Sequence, residues 1–221
     1  MVDLQRTDEW FAARLGKVTA SRIADVCART KTGWGASRKN YMADLVAERL
    51  TGAKAEGFTN AAMQWGTDME PEARVAYEFY RDASVAEIGF VPHPSIAETG
   101  ASPDGLVGED GLIEIKCPNT AQHLETLLGS SMPEKYFLQI QWQLACTGRQ
   151  WCDFTSYDPR LPETMRLFVD RVKRDDVAIK AIETDVISFL TELRDTVAKL
   201  RAKYEPDNEP LPDSARYLMA G

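Results

Sequence analysis

The chain has 221 residues, 44% hydrophobic and 27% charged, which fits one soluble domain with a real core, or at most two small ones. Lys and Arg number 26 against 34 Asp and Glu, a formal net charge of −8, which excludes a uniformly basic surface of the kind that coats nucleic acid. No apolar run approaches the ~20 residues of a membrane span, MVDLQRTDEWF lacks a secretory pattern, and Cys27, Cys117, Cys146 and Cys152 have no CxxC pairing, so they read as buried free thiols of a reducing compartment.

Taken in chain order, Asp8 to Leu15 reads as a short helix stopped by Gly16. Thr19 or Ser21 can cap a second helix through Ile23 and Val26. Residues 30 to 36, TKTGWGA, read as a basic and aromatic loop. Ser37 then caps a helix carried by Tyr41, Leu45, Val46 and Leu50 and ended by Gly52. Residues 53 to 59 form a loop. Asn60 precedes a long helical stretch through Met63, Met69, Val75, Ala76 and Phe79, in which Pro71 marks a kink or a restart.

The pattern then changes to strands at 85 to 91, 97 to 101, 105 to 107 and 112 to 117. Helices follow at 120 to 128 and from Pro133 through Ala145. Strands are expected at 151 to 157 and 165 to 172, and a long helix at 175 to 204. The tail from 205 to 221 is Pro-rich and acidic, and its Tyr217, Leu218 and Met219 are a docking segment for the body or a neighbouring subunit. The layout is a single domain over 1 to 204, of mixed α/β (α+β) class, with a central mixed sheet flanked by helices.

The most informative stretch is SPDGLVGEDGLIEIKCP, residues 102 to 118. Glycines allow the chain to reverse after Asp104, and LIEIKC alternates as a strand does. Glu114 and Lys116 therefore share one face, opposite Ile113 and Ile115, and Asp104 can join them. Two carboxylates suit a hard divalent cation. A lysine beside the metal can orient or deprotonate a water and offset phosphate charge. The grouping suits metal-assisted phosphodiester hydrolysis, with DNA confined to a local positive groove.

The chain resembles the phage lambda exonuclease family (YqaJ-like viral recombinases), within the PD-(D/E)xK restriction-endonuclease-like nucleases. The blocks that carry the resemblance are ARLGKVTAS at 13 to 21, WGTDMEPEAR at 65 to 74, SPDG at 102 to 105, EIKCP at 114 to 118, QIQ at 139 to 141 and YDPR at 157 to 160. It implies a restriction-endonuclease-like core and a 5′-to-3′ exonuclease. The substrate would be one strand of linear duplex DNA, leaving 3′ overhangs for phage-type recombination by annealing. It further implies a homotrimer, a single-strand annealing protein as partner, and a cytoplasmic location in a bacterial host.

By the same resemblance, Asp104, Glu114, Glu70 and the Ile115 carbonyl hold Mg²⁺, or Mn²⁺ in its place, with two ions per site. Lys116 positions or activates water, and Gln139 is the active-site glutamine. Arg14, Ser21 and Ser102 bind the 5′-terminal phosphate. A structure- or sequence-specific endonuclease and a catalytically silent end-binding module are the alternatives. Trp34 and Trp65 can stack on bases, with packing favoured for Trp65. His93 and His123 read as surface or hydrogen-bonding residues without a zinc partner.

Overall fold

The computed structural model describes residues 5–54 and 61–205. Asn60 and the Tyr217–Met219 segment lie outside the described residues, as does most of the loop expected at 53 to 59. The elements in chain order are α1 (Asp8–Arg14), β1 (Val18–Thr19), α2 (Ile23–Val26), the hairpin β2 (Arg29–Thr30) and β3 (Gly33–Trp34), and α3 (Ala36–Thr51). Next come α4 (Ala61–Arg81), β4 (Val85–Ala86), β5 (Val91–Pro92), β6 (Thr99–Ala101), β7 (Gly105–Val107) and β8 (Gly111–Lys116). The chain continues through α5 (Thr120–Gly129), α6 (Phe137–Thr147), β9 (Trp151–Tyr157), β10 (Leu167–Lys173) and α7 (Asp176–Tyr204).

The central sheet runs β10-β9-β8-β7-β4. Only β8 and β9 are parallel, with Glu114 opposite Phe154. Alternation along β8 decides what each face meets. Ile113 and Ile115 pack with Ala73 and Tyr77 of α4. Leu112, with Cys152 and Phe154 of β9, packs on Ile140 and Leu144 of α6. A second sheet, β1-β6-β5, shares a core with α2, α3, α6 and α7, in which Trp142 and Phe189 are fully buried. Gly111 is required because a Cβ there would fall inside the Trp151 ring.

Several expectations are corrected. The strand expected at 85 to 91 is split into β4 and β5, which belong to different sheets. The 30 to 36 loop contributes a two-stranded hairpin whose Trp34 has Arg29 at 4.1 Å and Arg38 at 4.0 Å from its ring centre. Those two cations cover the ring, which leaves it poorly placed for base stacking. Ser37 lies inside α3, and Gly35 occupies the N-cap position with no side-chain bond. Thr19 likewise caps nothing with its side chain and precedes a 3₁₀ turn, Ala20–Arg22. Pro133 precedes a 3₁₀ turn, Glu134–Tyr136, that leads into α6. Met165 lies in another such turn, before β10. Pro71 sits inside an unbroken α4.

The buried stripe of α4 is Ala73 and Tyr77, whereas Val75 and Phe79 are exposed. Of the two alternatives for the histidines, the hydrogen-bonding one holds, since both are buried. His123 Nδ1 lies 2.7 Å from Ser156 Oγ, and the His93 ring stacks on Trp142 at 4.8 Å. Cys117, Cys146 and Cys152 are buried free thiols and Cys27 is half-buried.

The two aromatics of α4 should separate cleanly on mutation. Tyr77→Ala is expected to cost about 3–5 kcal/mol, since it empties a buried site and strips Asp153 of a 2.9 Å hydrogen bond. Phe79→Ser should stay within about 0.5 kcal/mol. Denaturant unfolding of both variants checks the stripe. Equal costs would mean that α4 packs by a different face.

Candidate active site

β8 extends past its neighbour β7, because Gly105, the first residue of β7, already pairs with Ile113. Ile115 N–H is therefore left without a β7 partner, and Asp104 Oδ2 accepts it at 2.6 Å. This bond fixes the aspartate against the end of β8. Gly105 must be small here, since a Cβ would run into Val85.

Glu114 is 1% exposed, although it is a carboxylate on a central strand. Burying such a charge is costly unless donors replace water. Three donors do so. Lys116 Nζ lies 2.5 Å from Oε1, Gln139 Nε2 donates to Oε1 at 2.5 Å, and Gln143 Nε2 donates to Oε2 at 2.5 Å. Gln139 and Gln143 are one turn apart on α6, so both reach the same carboxylate. Gln143 was not singled out in the sequence. The signal available was its i+4 spacing from Gln139 on α6.

Glu70 approaches from α4 on the other face of the sheet. Arg6 holds it at 2.6 Å and Arg74 at 3.1 Å. Arg74 also donates to the Asp104 carbonyl at 3.4 Å and pairs with Glu87. Glu70, Asp104, Ile115, Lys116, Arg6 and Arg160 line one open cleft of about 820 Å³.

Burial pushes the Asp104 carboxyl well above its usual range. Glu114 and then Glu70 push the same way, against Lys116 and the Ile115 amide. Burial works against the Lys116 ammonium too, but Glu114 and Asp104 outweigh it and the net shift is upward. Glu114 and Asp104 thus favour the ammonium form of Lys116, a donor that can orient water and offset phosphate charge.

Among the described residues, no three His, Cys, Asp or Glu side chains converge as a ready metal cluster. Glu70 is turned to its arginines and Glu114 to its donors. The donor set is nonetheless all hard oxygen, and Glu114 and Glu70 both raise the affinity of Asp104 for positive charge. That chemistry fits a divalent cation.

The structure brings Arg14 and Ser102 together. Arg14 Nη1 donates to Ser102 Oγ at 2.9 Å. Trp10, not anticipated from the sequence, donates to the same hydroxyl at 3.0 Å and lies flat against Arg14, 4.1 Å from its ring centre. Ser21 does not touch Ser102. It lines a cavity of about 320 Å³ with Arg14, Lys17, Arg22 and Lys54. Burial lowers the Arg14 pKa, with Tyr41 and Glu48 opposing.

A model of the YqaJ-like viral recombinase domain matches residues 9–150. The chain belongs to that family. It is 56% identical to the crystal structure of an alkaline exonuclease from Laribacter hongkongensis, with a TM-score of 0.83, over 89% of this chain and 97% of that one. A phage-related exonuclease from Haemophilus somnus shares the fold at 15% identity and a TM-score of 0.65, over 83% of this chain and 96% of that one. An uncharacterized protein of Acanthamoeba polyphaga mimivirus is 27% identical over 164 residues, 68% of this chain. The chain spans only 28% of the length of that curated relative. The fold is thus the mixed α/β, restriction-endonuclease-like core that the sequence implies.

Gln143→Leu tests the donor cage. It leaves Glu114 Oε2 buried without its amide, so divalent affinity should fall about 10- to 100-fold while the fold persists. Titrating activity against Mn²⁺ in wild type and variant checks this. An unchanged half-saturation point would reduce Gln143 to packing.

Proposed function

We propose that this protein is a metal-dependent exonuclease that digests one strand of linear duplex DNA from its 5′ end. The products would be mononucleotides and a 3′ overhang suited to recombination by single-strand annealing. The observation that carries this reading is the Ser102-Pro103-Asp104 stretch. Ser102 is held by Arg14, and Asp104, two residues on, is held against β8. Two residues of chain span at most about 7 Å, the scale of a single nucleotide. A terminal 5′ phosphate in the Arg14 cavity would thus leave the next phosphodiester beside Asp104, Glu114 and Lys116. This supports the removal of one nucleotide at a time.

Arg14 offers a rigid fork of donors to phosphate oxygens, and Ser21 and Ser102 offer hydroxyls. Glu70, Asp104, Glu114 and the Ile115 carbonyl would hold Mg²⁺ or Mn²⁺, with two ions as the expected number. The cations, when bound, would activate water and stabilise the departing oxygen. Lys116 would hold the attacking water and offset charge on the phosphate. Gln139 would keep Glu114 oriented. A homotrimer enclosing the duplex and a single-strand annealing protein belong to the same reading, and solution mass tests the first of these. No helix among the described residues is long and apolar enough to cross a membrane.

Linear duplex should be degraded with Mg²⁺ or Mn²⁺ and spared with chelator, and closed circular duplex should survive. Asp104→Ala and Lys116→Ala should each lower the rate by at least about 100-fold. Nicking of the circle would favour an endonuclease, and folded Asp104→Ala at full rate would remove the assignment. A second assay compares 5′ ends. Phosphorylated duplex should be cut faster than its 5′-hydroxyl counterpart, and Arg14→Ala should shrink the difference. A preference untouched by that change would take Arg14 out of the phosphate site.

A further inference from the structure

Arg160 is a cation in the catalytic cleft that the chemistry above leaves unused. It lines the same cleft as Glu70, Asp104 and Lys116, and takes no part in the Arg14 cavity. Its guanidinium is mounted rigidly. Nε donates to Asp158 Oδ1 at 2.7 Å and Nη2 to Asp158 Oδ2 at 2.9 Å. The plane rests on Trp65, 4.5 Å from the ring centre. Asp158 is fully buried and also accepts from Thr120 at 2.7 Å. Burial pushes its carboxyl up, but Arg160 and Thr120 outweigh that and hold it down to about 2. The mount therefore stays ionised at any working pH. Nη1 is engaged by neither of those bonds, and 46% of the side chain is exposed. Trp65 Nε1 is also buried without a partner, which leaves a second donor unspent beside the arginine.

We propose that Arg160, on its Asp158 and Trp65 mount, binds a backbone phosphate of the cleaved strand on the 3′ side of the scissile bond. The inference rests on the exonuclease reading. Arg14 bonds Ser102, two residues before Asp104, and Arg160 lines the cleft that holds Asp104 and Lys116, so a strand whose 5′ end sits in the Arg14 cavity and whose next phosphodiester lies at Asp104 would continue into the cleft of Arg160. Guanidinium is the group for this task, because it binds phosphate oxygens in a fixed plane while stacked on an aromatic ring. In a chain of net charge −8, a phosphate contact must come from such a fixed local cation. Arg160 would hold the strand in register as the 5′ end is consumed, and it would act on binding more than on the bond-breaking step.

The test measures binding of linear duplex at several salt concentrations with chelator present, alongside steady-state digestion with Mg²⁺. Arg160→Gln removes the charge, and Asp158→Asn with Arg160→Gln removes the buried pair together and so guards against misfolding. Both should weaken duplex binding about 5- to 20-fold and reduce the slope of log affinity against log salt by about one. KM should rise with kcat nearly unchanged. The 5′-phosphate preference should persist, since it belongs to Arg14. Folded variants with wild-type affinity and salt slope would overturn the proposal, as would a loss confined to kcat. Wild-type protein that binds duplex yet releases no nucleotide would instead refute the exonuclease reading, and the salt slopes would still decide on Arg160.

Discussion

A buried carboxylate in the middle of the sheet sets the terms for the rest of the molecule. Glu114 is nearly inaccessible, and its charge is tolerable only because Lys116, Gln139 and Gln143 replace the lost water. That requirement dictates where α6 must lie. The helix is pinned from its other side as well. Gln141 donates to the Lys173 carbonyl at 2.9 Å and accepts from Asp175 N–H at 2.8 Å, at the start of α7. Trp142 fills the second core against His93. One helix thus ties the donor cage to the largest cluster of buried residues, so the site is as rigid as the core.

The acidic balance of the chain and its proposed substrate are reconciled by how its arginines are held. Arg14 lies on Trp10 and bonds Ser102, Arg160 lies on Trp65 and bonds Asp158, and Arg6 faces Glu70 across the cleft. Each cation is held by named partners, and Arg6 and Arg160 line the open cleft. Such placement concentrates positive potential along a path without making the protein basic overall. Aromatic mounts also reduce the entropy lost on binding, because the side chains are already ordered.

Much of this was legible in the sequence, for definable reasons. The strand alternation of LIEIKC fixed the face shared by Glu114 and Lys116, and the 2.5 Å contact between them bears that out. The long helix α7 and strand β9 followed from clean periodicity. Errors arose where tertiary contacts override local signals. Of the apolar residues expected along α4, Met69 and Ala76 pack on the core while Met63, Val75 and Phe79 are exposed, and the sheet buries Ala73 and Tyr77 instead. β4 and β5 are too short to carry a period, and only their pairing with β7 and β6 defines them. Gln143 and Trp10 gain meaning from a carboxylate and a hydroxyl distant in sequence, and only Gln143 carries a local signal, its i+4 spacing from Gln139.

The most direct test of this account is a count of bound divalent cation, with no DNA and no turnover. Mn²⁺ titration followed by electron paramagnetic resonance should show tight uptake by the wild-type protein. Uptake should be lost or strongly weakened in Glu114→Gln, whose fold can be verified separately by its melting curve. Glu114→Gln that binds Mn²⁺ as tightly as wild type would contradict the claim that this buried carboxylate organises the catalytic centre.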